Sequence, residues 1–334
     1  MNILGIESSC DETAAAVVED GQKARSSVVA SQVSIHRKYG GVVPELACRQ
    51  HVEAILPVIQ EALSRAEIDL AGLQGIAVTQ GPGLVGSLLV GIAAAKSLAY
   101  VLDLPLVGVN HILGHVAAIF LDGSSLKFPF ISLVVSGGHT SLFRVESRTR
   151  MALIGRTRDD AAGEAFDKVA KLLDLGYPGG EIIDRLSKEG DRRAIPFPRT
   201  LLEPNSLDFS FSGLKTAVLS YVKTLGGKPS PIQLRDVAAS FQEAVVDTLL
   251  FKVFRAAHQE GIREVVVAGG VACNSRLRER FCREGKESGI VVHFPPPPLC
   301  TDNAAMIGVA GFHLLQEGSR ADLTLNAYSR MDIR

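Results

Sequence analysis

The sequence predicts an α/β protein made of two units of the same element order, facing one another across a cleft. Three observations carry this. Apolar runs of strand length alternate with segments of helical periodicity along most of the 334 residues. The order hairpin, strand, helix, strand, glycine loop, helix, strand, helix occurs twice. Two apolar strands, GIAVTQ and IREVVVAGG, each run straight into a glycine loop. Strands alternating with helices bury a sheet on both faces, and duplication is the simplest account of the repeat.

In the first half a strand from Ile3 to Glu7 meets the polar turn SSCDET and returns from Ala14 to Glu19, with a third strand near Ser27 to Ser31. A helix is expected from Pro44 to Ala66, where Leu46, Ile55, Ile59 and Leu63 keep helical spacing and Pro44 suits the first turn. The strand GIAVTQ, the loop GPGLVG, a helix from Ser87 to Leu102, the strand PLVGV and a helix carrying VNHILGHVA complete the half.

The second half opens with FPFISLVV, turns through SGGHT, returns as SLFRVE and adds a strand near Ala152 to Gly155. Helices are expected from Ala162 to Leu173 and from Leu234 to Glu260, then the strand IREVVVAGG, a helix from Ser275 to Glu287, the strand IVVHF and a helix from Asn303 to Gln316. The first domain is placed at 1–118, completed by the C-terminal helix 303–330, and the second at 128–302. Gly176 to Pro231, rich in Pro, Gly and charge, has no counterpart in the first half and reads as an insertion with one short helix, a lid or a docking surface.

Composition excludes several classes. With 46% hydrophobic and 21% charged residues the chain is globular and long enough for two cores. Lys plus Arg number 35 against 36 acids, so no global positive field draws in nucleic acid, and any such contact must be local. The opening MNILGIESSCDE sets acids at Glu7, Asp11 and Glu12 with no basic leader and does not read as a secretory signal. The apolar tract from Gly83 to Val109 is interrupted by Lys96 and Asp103 and reads as a buried helix, not a membrane span. Cysteines at 10, 48, 273, 282 and 300 form an odd, scattered set without CxxC spacing, which suits reduced thiols in a cytoplasm.

The pair His111 and His115 is the first chemical signal. One helical turn apart, both imidazoles point the same way and can share one metal ion, although spacing alone leaves a core or solvated pair equally open. A metalloprotease reading fails, because Ile112 stands where HExxH enzymes carry the glutamate that activates water. The turns SSCDET and SGGHT offer small residues and backbone N–H groups to an anionic ligand, though each by itself is an ordinary tight turn.

The motifs ESSCDETAAAVV, GGVVPELACRQH, TQGPGLVGSLLVG, KSLAYVLDLPLVGVNHILGH, SLVVSGGHT, AAGEAFDKVAKLLDLGYPGG, FSFSGLK, VAGGVACNSRLR and TDNAAMI run through nearly the whole chain. With them the chain resembles the bacterial TsaD family of tRNA adenosine threonylcarbamoyltransferases, which are related to actin-like and sugar-kinase-like (ASKHA) ATP-binding folds. The resemblance implies that fold, and transfer of a threonylcarbamoyl group from threonylcarbamoyl-AMP to the exocyclic amine of the adenosine beside the anticodon, in tRNAs reading codons that begin with A. It implies that His111, His115 and Asp302 hold one divalent metal per subunit, iron(II) first, with zinc and magnesium as alternatives. It also implies that Val134, Val135, Ser136, Gly137, Gly138, Asp167, Gly180, Asp184 and Asn274 line the adenylate pocket, which ATP or ADP would share.

The partners implied are tRNA, a TsaB-like paralogue forming a heterodimer through helices of the first half, a TsaE-like ATPase and a TsaC-like synthase that supplies the donor, with no membrane partner. Apolar positions on helices 44–66 and 87–102 are candidate contacts, for which core burial is the simpler account. Asp302 stands just before a helix, where an N-cap acid exposes its carboxylate and where plain capping is the bland alternative. Asp167, four before Lys171, fits an exposed helix pair equally well. Asp11 and Glu12 occupy a turn from which they either orient the incoming amine or accept its proton, or, as turn acids ordinarily do, simply meet solvent. Arg276, Arg278, Arg280 and Arg283 either contact tRNA phosphates or form a solvated helix face with Glu279 and Glu284. Two other classes remain open at this level: a sugar-kinase-like phosphotransferase, which would not need the two histidines, and a non-catalytic ATP-driven clamp.

Overall fold

The computed structural model describes every residue except 122, 124, 125, 201–204 and 334. The chain divides into two compact units, Met1–Leu126 with Glu146–Met151 and Pro295–Arg334, and Lys127–Val145 with Ala152–Phe294. The expected boundary at 302/303 therefore lies at 294/295, and Asp302 belongs to the first unit.

The first unit holds strands β1 (Asn2–Glu7), β2 (Glu12–Glu19), β3 (Lys23–Ser31), β4 (Gly75–Gly81) and β5 (Leu106–Asn110). Its helices are α1 (Val33–His36), α2 (Pro44–Arg65), α3 (Val85–Leu102) and α4 (His111–Ala117), with α10 (Pro297–Cys300) and α11 (Ala304–Gln316) arriving later in the chain. The sheet runs β3-β2-β1-β4-β5, antiparallel through the hairpins and parallel from β1 through β4 to β5.

Strand alternation assigns the two faces. Leu4, Ile6, Ala15, Val17, Ile76 and Val78 join Ile55, Ile59, Ile92 and Ala95 of α2 and α3 in one core. The opposite face receives α11, and the sequence supplies small residues where backbones meet. A Cβ on Gly5 would lie 2.2 Å from the Ala304 carbonyl oxygen, and one on Gly311 2.2 Å from the Ala77 Cβ.

The second unit contains β6 (Phe130–Val135), β7 (Thr140–Val145), β8 (Met151–Arg156, shared at its first residue), β9 (Glu264–Ala268) and β10 (Val291–His293). Its helices are α5 (Ala162–Leu172), α6 (Gly179–Ser187), α7 (Ser212–Thr224), α8 (Pro231–Glu260) and α9 (Ser275–Ser288). Its sheet order, β10-β9-β6-β7-β8, reproduces that of the first unit strand for strand. The duplication expected from the sequence is thus present in the topology.

Three expectations change. The insertion 176–231 carries two helices, α6 and α7, not one, and its residues 201–204 lie outside the described residues. Helix α8 starts at Pro231 because Ser230 and Gln233 form a reciprocal capping box there, Ser230 Oγ accepting from the Gln233 N–H and Gln233 Oε1 from the Ser230 N–H. The C-terminal helix ends at Gln316, as its periodicity predicts and short of the 303–330 range given to the element that completes the first domain, ahead of Gly318 at φ +88°. Beyond it the chain bridges β5 at Leu106 through Ala321.

Candidate metal centre and donor pocket

Helix α4 begins where β5 ends, and Asn110 sets its start. The Asn110 Oδ1 accepts from the N–H groups of Ile112 and Leu113 at 2.9 and 3.4 Å, so the first turn is capped. His111 and His115 then share one face, ring centroids 4.6 Å apart. Between them Gly114 packs against α11, where an added Cβ would lie 2.8 Å from Ile307 Cδ1. That close approach brings in the start of α11.

The expected N-cap role of Asp302 falls instead to Asn303, whose Oδ1 accepts from the Met306 N–H at 2.9 Å. Asp302 is released from capping and turns to the histidines. Its Oδ1 lies 3.6 Å from His111 Nε2 and 3.2 Å from His115 Nε2, and one ligand atom from each of the three residues falls within 4.8 Å of the others.

A second layer orients His111, and sequence reasoning did not single it out. Glu7, fully buried at the end of β1, places Oε2 2.9 Å from His111 Nδ1 and accepts from Thr79 Oγ1 at 2.7 Å on the same oxygen. Its other oxygen accepts from the Ser9 N–H at 2.5 Å. A carboxylate so placed fixes the proton on Nδ1 and turns the Nε2 lone pair outward, the usual outer arrangement of a metal-binding imidazole. Burial works against charge on Glu7, yet the adjacent His111 holds its carboxyl below the usual range. Burial likewise opposes charge on His111, but Glu7 and Asp302 together push it up to about 9.

The residues fit a metal on an observation independent of family likeness. His115 is fully buried, and neither ring nitrogen has a hydrogen-bond partner among the described residues. An unpaired buried polar group costs about 1–3 kcal/mol, a cost that a bound ion at Nε2 removes for that nitrogen. Two imidazoles and one carboxylate match the set that leaves open positions on iron(II), and zinc accepts it too.

The tail crosses this region. The Tyr328 N–H donates to the Gln80 carbonyl at 3.0 Å, Gln80 Nε2 to the Asn326 carbonyl at 3.1 Å, and Asn110 Nδ2 to the Met331 carbonyl at 3.2 Å. Tail and unit enclose a cavity of about 540 Å³ lined by Asn110, Leu113, Thr149 and Tyr328 among others. Since Asn110 caps the histidine helix, removal of residues 326–334 is expected to leave the unit folded and to weaken metal binding by about tenfold. Competition with a chelating dye measures this, and unchanged affinity would refute it.

Asp11 and Glu12 sit in the first hairpin, as expected. The turn is tied down by His51, whose Nδ1 lies 2.7 Å from Thr13 Oγ1 and whose Nε2 lies 2.9 Å from the Cys10 carbonyl. Burial raises Asp11. Burial, opposed by the Ser31 hydrogen bond and reinforced by Asp11 and Asp302, pushes Glu12 up to about 7. A carboxyl raised on folding keeps its proton more tightly when folded, so its contribution to stability is lost as pH climbs from the ordinary glutamate range through about 7. Glu12→Gln is therefore expected to gain on the parent protein over that window, with the difference gone near pH 4 and full near pH 8. Urea unfolding across that range measures it, and a pH-independent difference would contradict it.

In the second unit the nine expected donor residues fall on elements linked in a ring. The Gly163 N–H at the start of α5 donates to the Ser136 carbonyl at 3.2 Å, and Ser136 Oγ accepts from the His139 N–H at 3.2 Å. One turn along α5, Asp167 accepts from the Gly179 N–H at 2.7 Å, fixing α6. Asp184 on α6 accepts from Ser275 Oγ at 2.8 Å, next to Asn274. Gly269, at φ +94° and hard against the Val135 carbonyl, returns the chain to β6.

Gly137, Gly138, Gly180 and Gly270 each have open space where a Cβ would go. Val134 and Val135 are fully buried, leaving only backbone to offer a ligand. Asn274 is occupied as the cap of α9, its Oδ1 accepting from the Leu277 N–H at 3.0 Å and its Nδ2 donating to Gln242 Oε1 at 2.7 Å.

Both readings of the arginine cluster need correction. Arg276 is buried and donates to both oxygens of Glu243 at 2.7 and 2.8 Å, while Arg280 pairs with Glu243, with Asp247 at 2.8 Å and with Glu284 at 2.6 Å. Arg278 lies over the Phe294 ring and donates to the Ala272 carbonyl at 2.6 Å. Arg276 and Arg280 brace α9 on α8, Arg278 ties it to the flanking loops, and Arg283 stands half exposed.

A family model described as TsaD, tRNA N6-adenosine threonylcarbamoyltransferase, matches residues 23–309. A protein of the name tRNA N6-adenosine threonylcarbamoyltransferase from Syntrophus aciditrophicus (strain SB) is 58% identical over 330 residues, covering 99% of this chain and 97% of its own. One of the same name from Clostridioides difficile (strain 630) is 52% identical over 330 residues, covering 99% and 98%. Among solved structures, full-length HypF in its phosphate- and nucleotide-bound form superposes with TM-score 0.65 at 14% identity over 96% of this chain and 56% of HypF. Component A of the Acidaminococcus fermentans (R)-2-hydroxyglutaryl-CoA dehydratase gives TM-score 0.54 at 15% identity, over 94% and 98%. Identities this low speak to the fold alone, and that fold is the duplicated actin-like, sugar-kinase-like one. From the family match across most of its length and relatives above half identity, the chain belongs to the TsaD family of tRNA N6-adenosine threonylcarbamoyltransferases.

Proposed function

We propose that this chain transfers the threonylcarbamoyl group of threonylcarbamoyl-AMP to the exocyclic amine of the adenosine beside the anticodon, in tRNAs reading codons that begin with A. The supporting observation is the convergence of His111, His115 and Asp302, with an orphaned buried imidazole among them, in a chain of this family. A divalent ion there, iron(II) by ligand set with zinc and magnesium as alternatives, would supply Lewis-acid polarisation of donor oxygens. The open glycines 137, 138, 180 and 270 give an adenylate, or ATP or ADP, room to lie against backbone. The Asp11 and Glu12 carboxyls orient the amine and take its proton.

In the reaction the amine nitrogen bonds to the carbamoyl carbon, and the bond from that carbon to the phosphate oxygen breaks. AMP leaves with the electron pair, and the amine loses one proton to a carboxylate. A sugar-kinase-like phosphotransferase would leave the meeting of the histidines with Asp302 without a purpose. The test is mass analysis of tRNA nucleosides after incubation of metal-loaded protein and its partners with donor and tRNA. Threonylcarbamoyladenosine is expected, with Gly138→Leu raising the KM for donor while the fold stays intact. No modified adenosine in the parent protein would overturn the reading.

The TsaB-like partner is placed on α2 and α3. Val52 and Leu56 on α2 and Leu89, Tyr100 and Val101 on α3 are exposed, an apolar set that a heterodimer would cover. The same helix α3 is long and apolar enough to cross a membrane by length and composition, but it buries Leu88, Ile92 and Ala95 in the unit's core and carries Lys96. We place the protein in the cytoplasm, with a TsaE-like ATPase joining the pair and a TsaC-like enzyme making the donor. Leu56→Glu with Leu89→Glu is expected to abolish co-purification of the paralogue, and retained pairing would place the interface elsewhere.

A further inference from the structure

We propose that the exposed run Arg37-Lys38-Tyr39, which follows the segment hydrogen-bonded to the hairpin turn that carries Asp11 and Glu12, is the platform on which the unpaired nucleotides of the RNA substrate dock. The inference rests on the transfer reading above and assigns to it a surface. With charges balanced at −1 overall, the protein has no general field for a polyanion, so an RNA contact must be built locally.

The run is built in. Its approach is pinned to the turn by the Gln32 N–H donating to the Asp11 carbonyl at 3.0 Å and by Ser31 Oγ donating to Glu12 Oε1 at 2.8 Å. The buried His36 locks the segment from below, with Nε2 3.2 Å from Gln32 Oε1 and Nδ1 accepting from the Val43 N–H at 3.3 Å. On this base Arg37, Lys38 and Tyr39 are all exposed, and the Lys38 ammonium lies 5.1 Å from the centre of the Tyr39 ring. Gly40 and Gly41 follow at φ +68° and +156°, so the backbone turns away and no side chain follows Tyr39 there.

This is the chemistry that single-stranded nucleic acid requires: an aromatic face for a base and cations beside it for the flanking phosphates. The neighbouring carboxyl completes it. Glu12 Oε2 is buried without a hydrogen-bond partner among the described residues, an acceptor of the kind that an exocyclic amine satisfies. An acidic peptide would find the cations but have no use for the ring, which favours RNA.

The test uses metal-loaded protein with its partners, and two readouts. One is steady-state transfer with tRNA varied; the other is anisotropy titration of a labelled anticodon stem-loop RNA. Tyr39→Ala is expected to raise the KM for tRNA and the stem-loop Kd about tenfold, with Tyr39→Phe restoring both. Arg37→Ala with Lys38→Ala is expected to do the same and to lower the slope of log Kd against log salt by about 1–2. Metal content, KM for donor and kcat should stay within about twofold in every variant. Unchanged tRNA KM and stem-loop Kd in both would overturn the platform, as would a fall in kcat with KM constant. Loss of transfer in the parent protein would instead overturn the reading it rests on, and the anisotropy readout would still decide the platform.

Discussion

His115→Ala is expected to emerge folded but with at most about a tenth of the metal of the parent protein, and with transfer down more than about 100-fold. The imidazole is fully buried and makes no hydrogen bond among the described residues, with the Asp302 carboxylate 3.2 Å from its Nε2, so its loss removes a ligand without breaking a hydrogen bond. Metal analysis, transfer assay and a thermal melt separate the effects. A variant that keeps full metal while losing transfer would contradict the account, and so would full transfer without metal. Asp302→Asn should behave alike, since Asn303 and not Asp302 caps the helix and the fold does not depend on that charge.

The second large effect is structural and lies in the other unit. Glu243, buried on α8, is held below the usual carboxylate range against the pull of burial by its hydrogen bonds and charge pairing with Arg276 and by Arg280. Glu243→Ala removes the acceptor that Arg276 and Arg280 share, leaving Arg276 only the exposed Glu279 and Arg280 only Asp247 and Glu284, and is expected to cost about 2–3 kcal/mol of unfolding free energy. Arg199, which chelates Asp247 at 2.9 and 3.0 Å, extends the network and should limit its collapse. The adjacent Gln242 holds Asn274, so the same variant should also raise the KM for donor. Urea denaturation checks the first effect. Replacing Glu243 and Arg276 together by Leu and Met should recover much of the loss, because no unpaired charge then remains. A cost below about 1 kcal/mol for the single change would mean the network is exposed in solution.

Much of this was legible in the chain because strands and helices write their periods directly. Leu4 and Ile6 face one helix layer and Ile3 and Gly5 the other, which an apolar run shows as a fully buried strand but cannot apportion between layers. The repeated glycine loops gave away the duplication. Boundaries that depend on side-chain capping were harder: Ser230-Pro231-Ile232-Gln233 spells a capping box, yet periodicity alone delays the helix to Leu234.

At the metal centre the two histidines were readable because helical spacing is local. Asp302 follows 187 residues after His115, and its arrival depends on α11 seating against Gly114, a tertiary fact that spacing does not encode. Glu7 was visible as an acid ending an apolar strand, a costly place for a charge, and that cost was the unused signal of its role behind His111. The arginines of α9 misled in the opposite direction. Their spacing with Glu279 and Glu284 looks like a solvated face, whereas the partner that decides their fate, Glu243, sits on another helix.

The central claim is that three side chains of the first unit hold one divalent ion. Anomalous diffraction from crystals of the freshly purified protein, collected at and below the iron edge, tests it most directly. The account requires one strong peak within about 2.0–2.2 Å of His111 Nε2, His115 Nε2 and an Asp302 carboxylate oxygen. If the edge were zinc's, the metal would change while the site stood. A fully active preparation with neither an anomalous peak nor the six-coordinate density of a magnesium ion between these residues would contradict it.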